Sequence, residues 1–366
     1  MNHSPTVLEI SSSAVRHNLS HFRSVIGRDT MILAVVKASG YGSDSRAMAG
    51  LLERLGVDYF AVAYADEGIS LREEGINTPI LVLHPQLQNL ETLVEHRLEP
   101  NLYSRKILTA FLTLSQRKGL KSYPVHLKFN TGLNRLGFCQ TDLQELCATL
   151  REERSLHVKS LFSHLVASEE ESMRAFTLKQ IEQFNEITEE FQQLWGYLPI
   201  RHMTNTSGVL NFPEAHFEMV RVGIGLYGFA NDERLDPKLE NVLALKSVIS
   251  QIHRVGQGEN VGYNFGFTAN TETSTATIPI GHADGVFRSL GQGKISVQIR
   301  GKKAPVIGNI CMDMIMVDIT GIDCEEGDEV ILFDSREDIL ELARQAQTIP
   351  YEILTALGPR IRRVLV

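Results

Sequence analysis

The sequence has few cysteines, and the four that it has are scattered. Cys139, Cys147, Cys311 and Cys324 form no Cys-x-x-Cys pair and no zinc-ligand spacing. The pattern argues against a disulfide-stapled secreted scaffold and favours a reduced, cytoplasmic compartment. We therefore expect no structural metal.

Long apolar runs and an excess of positive charge are also missing. The first residues, MNHSPTVLEI, contain no basic segment followed by a long apolar stretch, so we expect neither a signal peptide nor a membrane helix. The formal net charge of −8 argues against nucleic acid or an anionic membrane as a partner. There is no internal repeat and no low-complexity segment.

With 366 residues, the chain exceeds the size at which single cores stop growing, which predicts two domains. Strand-like runs alternate with helical patterns over the first two-thirds. The strand candidates are ILAVVK (32–37), YFAVA (59–63), ILVLH (80–84), EPNLY (99–103), VHLKF (125–129), VKSLFSHL (158–165), IRHMTN (200–205) and EMVRVGI (218–224). Eight strands favour an α/β (β/α)₈ barrel of the TIM type. An open doubly wound sheet is the alternative, but no GxGxxG follows an early strand.

After a polar connector at 230–241, the pattern changes to short stretches rich in β-branched residues and separated by glycine. We predict a barrel at 10–233 and a C-terminal mostly-β domain at 234–366. The N-terminal strand, 1–9, is a candidate member of the second domain. The last pattern, Ile339 to Leu357, predicts a helix.

Unusual polar residues fall where the barrel strands are predicted to end, which is the rim that carries the chemistry of barrel enzymes. Lys37 ends the first strand and opens a glycine-rich turn. A lysine there can pair with a carboxylate, reach solvent, or form a Schiff base with a carbonyl cofactor. The other residues at the predicted rim are Lys128, Arg135, His164, His202, Asn205, Thr206 and Arg221. This clustering predicts a functional site.

Gly208, Gly223 and Gly225 follow the last two strands, where barrels often bind phosphate through backbone N–H groups. The hydroxyls of Thr206 and Ser207 add donors. Pyridoxal 5′-phosphate (PLP) carries a phosphate and an aldehyde at opposite edges of its ring, so it suits a phosphate cup facing Lys37.

Nine strings in this chain resemble the alanine racemase family, and they occur in the family's order over nearly the whole length. They are VVKASGYG, KFNTGLNRLGF, SHLVASEE, HMTNTSG, MVRVGIGLYG, VGYNFGF, GHADG, GNICMDMIMVD and TIPYEILTALGPRIRR. The resemblance implies a PLP barrel of fold-type III, a C-terminal β domain and a homodimer whose subunits share each active site. It also implies an isomerase that interconverts L- and D-alanine, a small amino-acid substrate, to supply D-alanine for the cell wall.

The resemblance implies two catalytic bases. Lys37 would hold PLP covalently and act as the base for the D-amino acid. Tyr263 of the partner subunit would be the opposite base, with His164 as the neighbour that activates it. Racemisation removes a proton from one face and returns one on the other, so two opposed bases suit the reaction.

The resemblance also assigns residues to the cofactor and the substrate. Arg221 would face the pyridine nitrogen with His202 behind it, and an arginine can pair only with an unprotonated nitrogen. Arg135 would bind the substrate carboxylate, helped by the Met312 N–H of the other subunit. Lys128 matches a lysine that the family often carbamylates. The phosphate ligands would be Tyr41, Thr206, Gly223, Ile224 and Tyr351; Cys311, Asp313 and His282 would support the site.

The chain departs from the family pattern at three places. Ser39 and Gly40 replace the usual Asn-Ala before Tyr41, and Asn130 replaces an aspartate beside Lys128. His282 replaces a tyrosine near the substrate entrance. Two alternatives stay open. The first is another activity on the same scaffold, such as racemisation of serine or of many amino acids, or diamino-acid decarboxylation. The second is a protein that binds PLP without catalysing a reaction.

Overall fold

The computed structural model describes residues 4–153, 155–232 and 234–366. Its strands are β1 (Val7–Ile10), β2 (Met31–Val35), β3 (Tyr59–Val62), β4 (Ile80–Val82), β5 (Glu99–Leu102), β6 (Tyr123–Lys128), β7 (Leu156–Phe162), β8 (Ile200–His202), β9 (Met219–Val222), β10 (Leu243–Val248), β11 (Gln251–Val255), β12 (Asn260–Val261), β13 (Phe267–Thr268), β14 (Thr273–Ile278), β15 (Ser296–Ile299), β16 (Lys302–Ile307), β17 (Ile315–Asp318), β18 (Glu329–Phe333) and β19 (Arg362–Leu365).

The helical segments are α1 (Ser12–Val25), α2 (Lys37–Tyr41), α3 (Ser45–Arg54), α4 (Ala65–Glu73), α5 (Leu90–Glu95), α6 (Arg105–Lys118), α7 (Leu143–Glu153), α8 (Arg174–Trp195), α9 (Thr206–Asn211), α10 (Arg336–Ala346) and α11 (Pro350–Thr355). No helix in the described ranges is long and apolar enough to cross a bilayer. The chain divides into two compact units, residues 16–40 with 45–240, and residues 1–15 with 41–44 and 241–366.

The first unit is a barrel of eight parallel strands. The strands lie in the order β8-β7-β6-β5-β4-β3-β2-β9, and β8 and β9 contact each other to close the ring. Strands such as β3 and β4 are buried at every residue, which explains their continuous apolar sequence. The predicted (β/α)₈ fold is confirmed, and each of the eight predicted strands overlaps an observed one.

The strand register brings the rim residues together. Lys128 lies opposite Phe162 in the β6–β7 pair, and Phe162 lies opposite His202 in the β7–β8 pair. Arg221 lies opposite Leu33 in the pair of β9 and β2. Side chains in such a row share one face of the sheet. The barrel thus holds Lys128, Phe162 and His202 in one layer.

The second unit is built on a nine-stranded sheet in the order β11-β14-β17-β16-β15-β18-β10-β1-β19. β1 pairs antiparallel with β10 and parallel with β19. β10 alternates buried and half-buried residues, as expected of a sheet with one covered face. A separate β12–β13 hairpin packs its apolar residues onto a small cluster that includes Val255 and Ile307. The predicted mostly-β second part is confirmed.

The pattern from Ile339 to Leu357 is helical as predicted, but it forms two helices rather than one. α10 ends at Ala346, and Gln347 then adopts a left-handed conformation with φ of 58°. α11 begins at Pro350. Proline lacks an N–H and disfavours helical backbone at the residue before it, so it begins a new helix rather than continuing the old one.

Candidate active site

Lys37 lies on an unusual turn at the carboxyl end of the barrel. β2 ends at Val35, and the next segment, α2, winds in the left-handed sense, with φ of 52° at Ala38, 55° at Ser39 and 64° at Gly40. Tyr41 follows with φ of 53°. Left-handed backbone costs about 1–2 kcal/mol for each non-glycine residue, so other contacts must hold this turn.

The Glu67 carboxylate, in the first turn of α4, supplies such contacts. It accepts hydrogen bonds from the backbone N–H of Ala38 at 2.6 Å, of Ala63 at 2.7 Å and of Tyr64 at 3.2 Å. One side chain thereby joins the turn after β2 to the end of β3. This contact fixes the backbone beside Lys37.

The amine of Lys37 lies in a positive environment. Burial lowers the pKa of Lys37, and Arg135 lowers it further, while Glu67 opposes both. Burial, Arg221, Arg135 and Lys37 together lower the pKa of Lys128 to about 7. A lowered pKa raises the fraction of neutral amine, which is the form that attacks carbonyl carbon and carbon dioxide.

Arg221 is the most enclosed cation of the site, with 4% of its surface exposed. Its guanidinium donates to His202 Nδ1 at 2.8 Å, His164 Nδ1 at 2.9 Å, Ser163 O at 2.9 Å and Met203 O at 3.1 Å. Burial, with Arg135 second, lowers the pKa of Arg221 to about 9, so it stays charged at neutral pH.

Both histidines beside Arg221 are neutral. Burial lowers the pKa of His164 and that of His202 well below the usual range, and Arg221 lowers both further. Because Arg221 donates to Nδ1 of each ring, each must carry its proton on Nε2. The Arg221 guanidinium is therefore held by two neutral imidazoles and two backbone carbonyl groups, and none of these four partners is a carboxylate that would neutralise its charge.

Phe162 is part of this layer, although from the sequence it was predicted only as a residue of a strand. Its ring stacks on His202, with centroids 4.8 Å apart and an angle of 4° between the planes. Lys128 Nζ and Arg221 Cζ each lie 5.6 Å from its centroid. Both cations are close enough to interact with the negative face of an aromatic ring.

The predicted phosphate cup lies around Thr206, at the start of α9. Thr206 Oγ1 accepts from the N–H of Gly223 at 3.3 Å and of Gly225 at 3.1 Å, so its own proton is available to an acceptor. The buried Thr204 Oγ1 has no hydrogen-bond partner in the described parts of the chain. Ser207 differs from expectation, because its hydroxyl donates to Ala230 O. Ile224 is 1% exposed.

Glycine is required at Gly225. A Cβ there would lie 2.4 Å from Phe22 Cζ and 2.7 Å from Thr206 Cγ2. Phe22 projects from α1, so the absence of a side chain at Gly225 leaves room for both Phe22 and Thr206 beside the backbone. Together with the hydroxyl proton of Thr206 and the amine of Lys37, these residues fit a cofactor that carries a phosphate and a carbonyl.

Asn130 shapes the loop that leads to Arg135. Its Oδ1 accepts from the backbone N–H of Gly132 at 3.2 Å and of Asn134 at 2.9 Å. Its Nδ2 donates to Asn134 Oδ1 at 2.8 Å. An aspartate could make the first two contacts but not the third, so Asn130 is adapted to this turn.

The second unit brings the remaining site residues into two groups. Tyr41 and Tyr351 have ring centroids 6.0 Å apart. A surface depression is lined by Gly262, Tyr263, Cys311, Met312, Asp313, Met314 and Met316. Tyr263 is 68% exposed and Met312 59%. Asn309 Nδ2 donates to Tyr263 O at 2.8 Å and steadies that turn.

The loop of Met312 is tied to the loop of His282. The N–H of His282 donates to Cys311 O at 2.9 Å. Arg360 forms ion pairs with Asp313 at 2.7 Å and with Asp284 at 2.5 Å. His282 itself is exposed. The two loops therefore form one structured surface.

Two family models cover nearly the whole chain: the alanine racemase N-terminal domain matches residues 10–231, and the C-terminal domain matches 242–365. The alanine racemase of Desulfovibrio desulfuricans is 34% identical over 367 residues, covering 99% of this chain and 98% of that protein. Alanine racemase 1 of Caldanaerobacter subterraneus is 32% identical, covering 98% and 94%.

Solved structures agree with these relatives. The alanine racemase of Clostridium difficile 630 superposes with a TM-score of 0.93 at 32% identity, covering 99% of this chain and 96% of that one. That of Bacillus anthracis, solved with bound L-Ala-P, has a TM-score of 0.91 at 29% identity, covering 100% and 95%. That of Bartonella henselae, solved with covalently bound pyridoxal phosphate, has 0.88 at 28%, covering 99% of each. This chain belongs to the alanine racemase family.

Proposed function

We propose that this protein is a PLP-dependent alanine racemase that uses Lys37 and Tyr263 of the partner subunit as opposed bases. The observation that carries the proposal is the rim of the barrel, where Lys37, with its lowered pKa, lies near a buried arginine that is fixed by two neutral histidines. A solved relative carries covalently bound pyridoxal phosphate and another carries L-Ala-P.

Lys37 would hold PLP covalently, and Arg221, with His202 and His164 behind it, would face the ring nitrogen. Thr206, Gly223, Ile224, Tyr41 and Tyr351 would bind the phosphate. When bound, PLP withdraws the electron pair that is left as the substrate's α-proton departs. A charged arginine donates to the ring nitrogen but cannot protonate it fully, which limits that withdrawal and favours proton exchange over decarboxylation.

Arg135 would bind the substrate carboxylate, and Lys37 and Tyr263 of the partner subunit would move the proton. Lys37 takes the α-proton of D-alanine, and the tyrosine takes that of L-alanine. Tyr263 is accompanied on its surface by Phe265, Met312 and Met314, which are 74%, 59% and 47% exposed. Such an exposed apolar group is typical of a surface that a partner covers, which supports a homodimer.

The two-base assignment is tested with Tyr263→Phe in deuterium oxide. Because the two substrates have equal free energy, kcat/KM must remain equal in the two directions, so rates alone cannot separate the bases. Exchange can. We expect D-alanine to incorporate deuterium through Lys37 without becoming L-alanine, while L-alanine keeps its hydrogen.

Exchange from both enantiomers in this variant would contradict the assignment. Borohydride should fix PLP on Lys37, and label on another lysine would refute its role. The matched control is Tyr197→Phe, because Tyr197 is an exposed tyrosine that stacks on His157 on the outside of the barrel.

The second candidate is a racemase of broad specificity, favoured by the exposed His282 where the family has tyrosine. Comparing kcat/KM for alanine, serine and larger amino acids decides between the two. A non-catalytic PLP-binding protein would exchange no α-hydrogen with any of them.

The cellular role follows from the reaction. We propose a cytoplasmic supply of D-alanine for peptidoglycan. Deleting the gene should create a requirement for external D-alanine, provided that no second racemase is present. Growth without D-alanine in such a strain would refute this role.

A further inference from the structure

A row of buried polar side chains leads away from Arg221 through the barrel. His202, Ser160 and His126 are each 0% exposed, and Glu99 is 9% exposed. They come from four neighbouring strands, β8, β7, β6 and β5, and none of them but His202 has a part in the reaction described above. Ser160 lies directly opposite His126 in the strand register.

Consecutive hydrogen bonds connect the row. His202 Nε2 lies 2.9 Å from Ser160 Oγ, and Ser160 Oγ lies 2.6 Å from His126 Nδ1. His126 Nε2 lies 2.7 Å from Glu99 Oε2. With the bond from Arg221 to His202 Nδ1, the row has four links between a guanidinium and a carboxylate.

The direction of every link follows from Arg221. Its guanidinium can only donate, so His202 accepts at Nδ1 and carries its proton on Nε2. His202 therefore donates to Ser160 Oγ, and the serine proton is free to go to His126 Nδ1. His126 then carries its own proton on Nε2 and donates it to Glu99. Each group is satisfied with both histidines neutral, and a doubly protonated His126 would leave the serine proton without its acceptor.

The aligned links join opposite charges. Each dipole in the row points its negative end toward Arg221 and its positive end toward Glu99. A cation as enclosed as Arg221 is costly without such compensation. Chains of hydrogen bonds also polarise one another, which strengthens each link in a medium of low dielectric constant.

We propose that Glu99, His126 and Ser160 are positioning residues that fix the tautomer of His202 and thereby hold Arg221 charged and aimed at the cofactor ring. The proposal rests on the proposed function, in which Arg221 faces the ring nitrogen. The three residues touch neither cofactor nor substrate and act through His202.

The first test uses protein without cofactor. In ¹⁵N-histidine-labelled protein, the side-chain nitrogen spectrum should show His202 and His126 neutral, each protonated on Nε2. Glu99→Gln should shift the His202 nitrogen signals, and Ser160→Ala should abolish that transmission, so the Glu99→Gln shift at His202 is lost in the double variant. Two results would contradict the proposed relay, which is the transmission of changes along the row of hydrogen bonds from Glu99 to His202. One is a different His202 tautomer, and the other is an equal shift of the His202 signals with and without the Ser160 hydroxyl.

The second test uses the holoenzyme. We expect Ser160→Ala to lower kcat about tenfold in both directions with little change in KM, the size set by one buried donor left without its partner. Ser160→Thr, which keeps the hydroxyl, should restore most of the rate. The control is Ser115→Ala: Ser115 is also buried, and its hydroxyl has no partner in the described parts of the chain.

Wild-type kcat in Ser160→Ala would overturn the positioning role even if the spectra support the relay. If the wild-type protein racemises no amino acid, the proposed function fails, and the histidine spectra of the cofactor-free protein still decide whether the relay exists. The two failures are therefore distinct.

Discussion

Lys128 gives a sharp prediction because its charge is unfavourable where it lies. It is 7% exposed, and burial with three nearby cations, Arg221, Arg135 and Lys37, lowers its pKa to about 7. We predict that replacing Lys128 with methionine, which has a similar length and no charge, stabilises the protein at neutral pH.

The magnitude follows from proton linkage. Between pH 7 and pH 10.5 the unfolded chain binds this proton more strongly than the folded one, so the free energy of unfolding rises with pH. Integrating a change from 10.5 to about 7 gives a cost on the order of 4 kcal/mol at pH 7. Lys128→Met removes this cost, so its advantage should shrink steadily as the pH is raised.

The assay is urea unfolding of the cofactor-free protein from pH 6.5 to 10, in buffers free of carbon dioxide. The control is Lys106→Met, which removes an exposed lysine on α6. Lys37 is present in all three proteins, so only the part of its titration that is coupled to Lys128 remains in the difference. Parallel pH profiles for wild type and Lys128→Met would refute the reasoning.

The same neutral amine should react with carbon dioxide. About half of Lys128 is neutral at pH 7, against about one part in a few thousand for an ordinary lysine. A carbamate would reverse the charge beside Arg135. We expect a ¹³C carbamate signal after addition of labelled bicarbonate to wild type, and none in Lys128→Met. Absence of the signal in wild type would exclude the modification.

Three further outcomes are expected. Gly42→Ala should lower the free energy of unfolding by at least about 3 kcal/mol, since Gly42 has φ of 80° and a Cβ would lie 1.8 Å from Leu354 O. Urea unfolding measures this loss, and a variant as stable as the wild type would contradict the prediction. Glu67→Ala should lower the free energy of unfolding by about 1–3 kcal/mol, because it removes the three hydrogen bonds that the carboxylate accepts from the N–H groups of Ala38, Ala63 and Tyr64. An unchanged urea midpoint would contradict the role of Glu67. His282→Tyr should narrow substrate preference toward alanine, and an unchanged ratio of kcat/KM for alanine and serine would remove His282 from the entrance.

The barrel could be predicted because strands such as β2, β3 and β4 are almost wholly buried and appear as apolar runs, which can be recognised without knowledge of their neighbours. The rim residues could be selected because a charge at the end of such a run is conspicuous. The division of the last helical pattern was missed although Pro350 announces it, because apolar periodicity was given more weight than the proline.

The left-handed backbone after Lys37 and the part of the row beyond His202 were not predicted. Ala38, Ser39 and Tyr41 have no preference for left-handed backbone, so tertiary contacts decide their conformation. His126 and Ser160 stand inside strands that resemble ordinary core. One signal was available: His126 is two residues before Lys128, and Ser160 two before Phe162, so each pair shares a face of its strand.

The exposed position of Tyr263 has a consequence for how activity depends on the amount of protein. If one base of each site belongs to another chain, an isolated subunit can hold cofactor and still not racemise. Specific activity should then fall with dilution below the dissociation constant, while the absorbance of bound cofactor per subunit stays constant. Mixing Lys37→Ala with Tyr263→Phe subunits should restore activity, because half of the sites in a mixed dimer contain both bases.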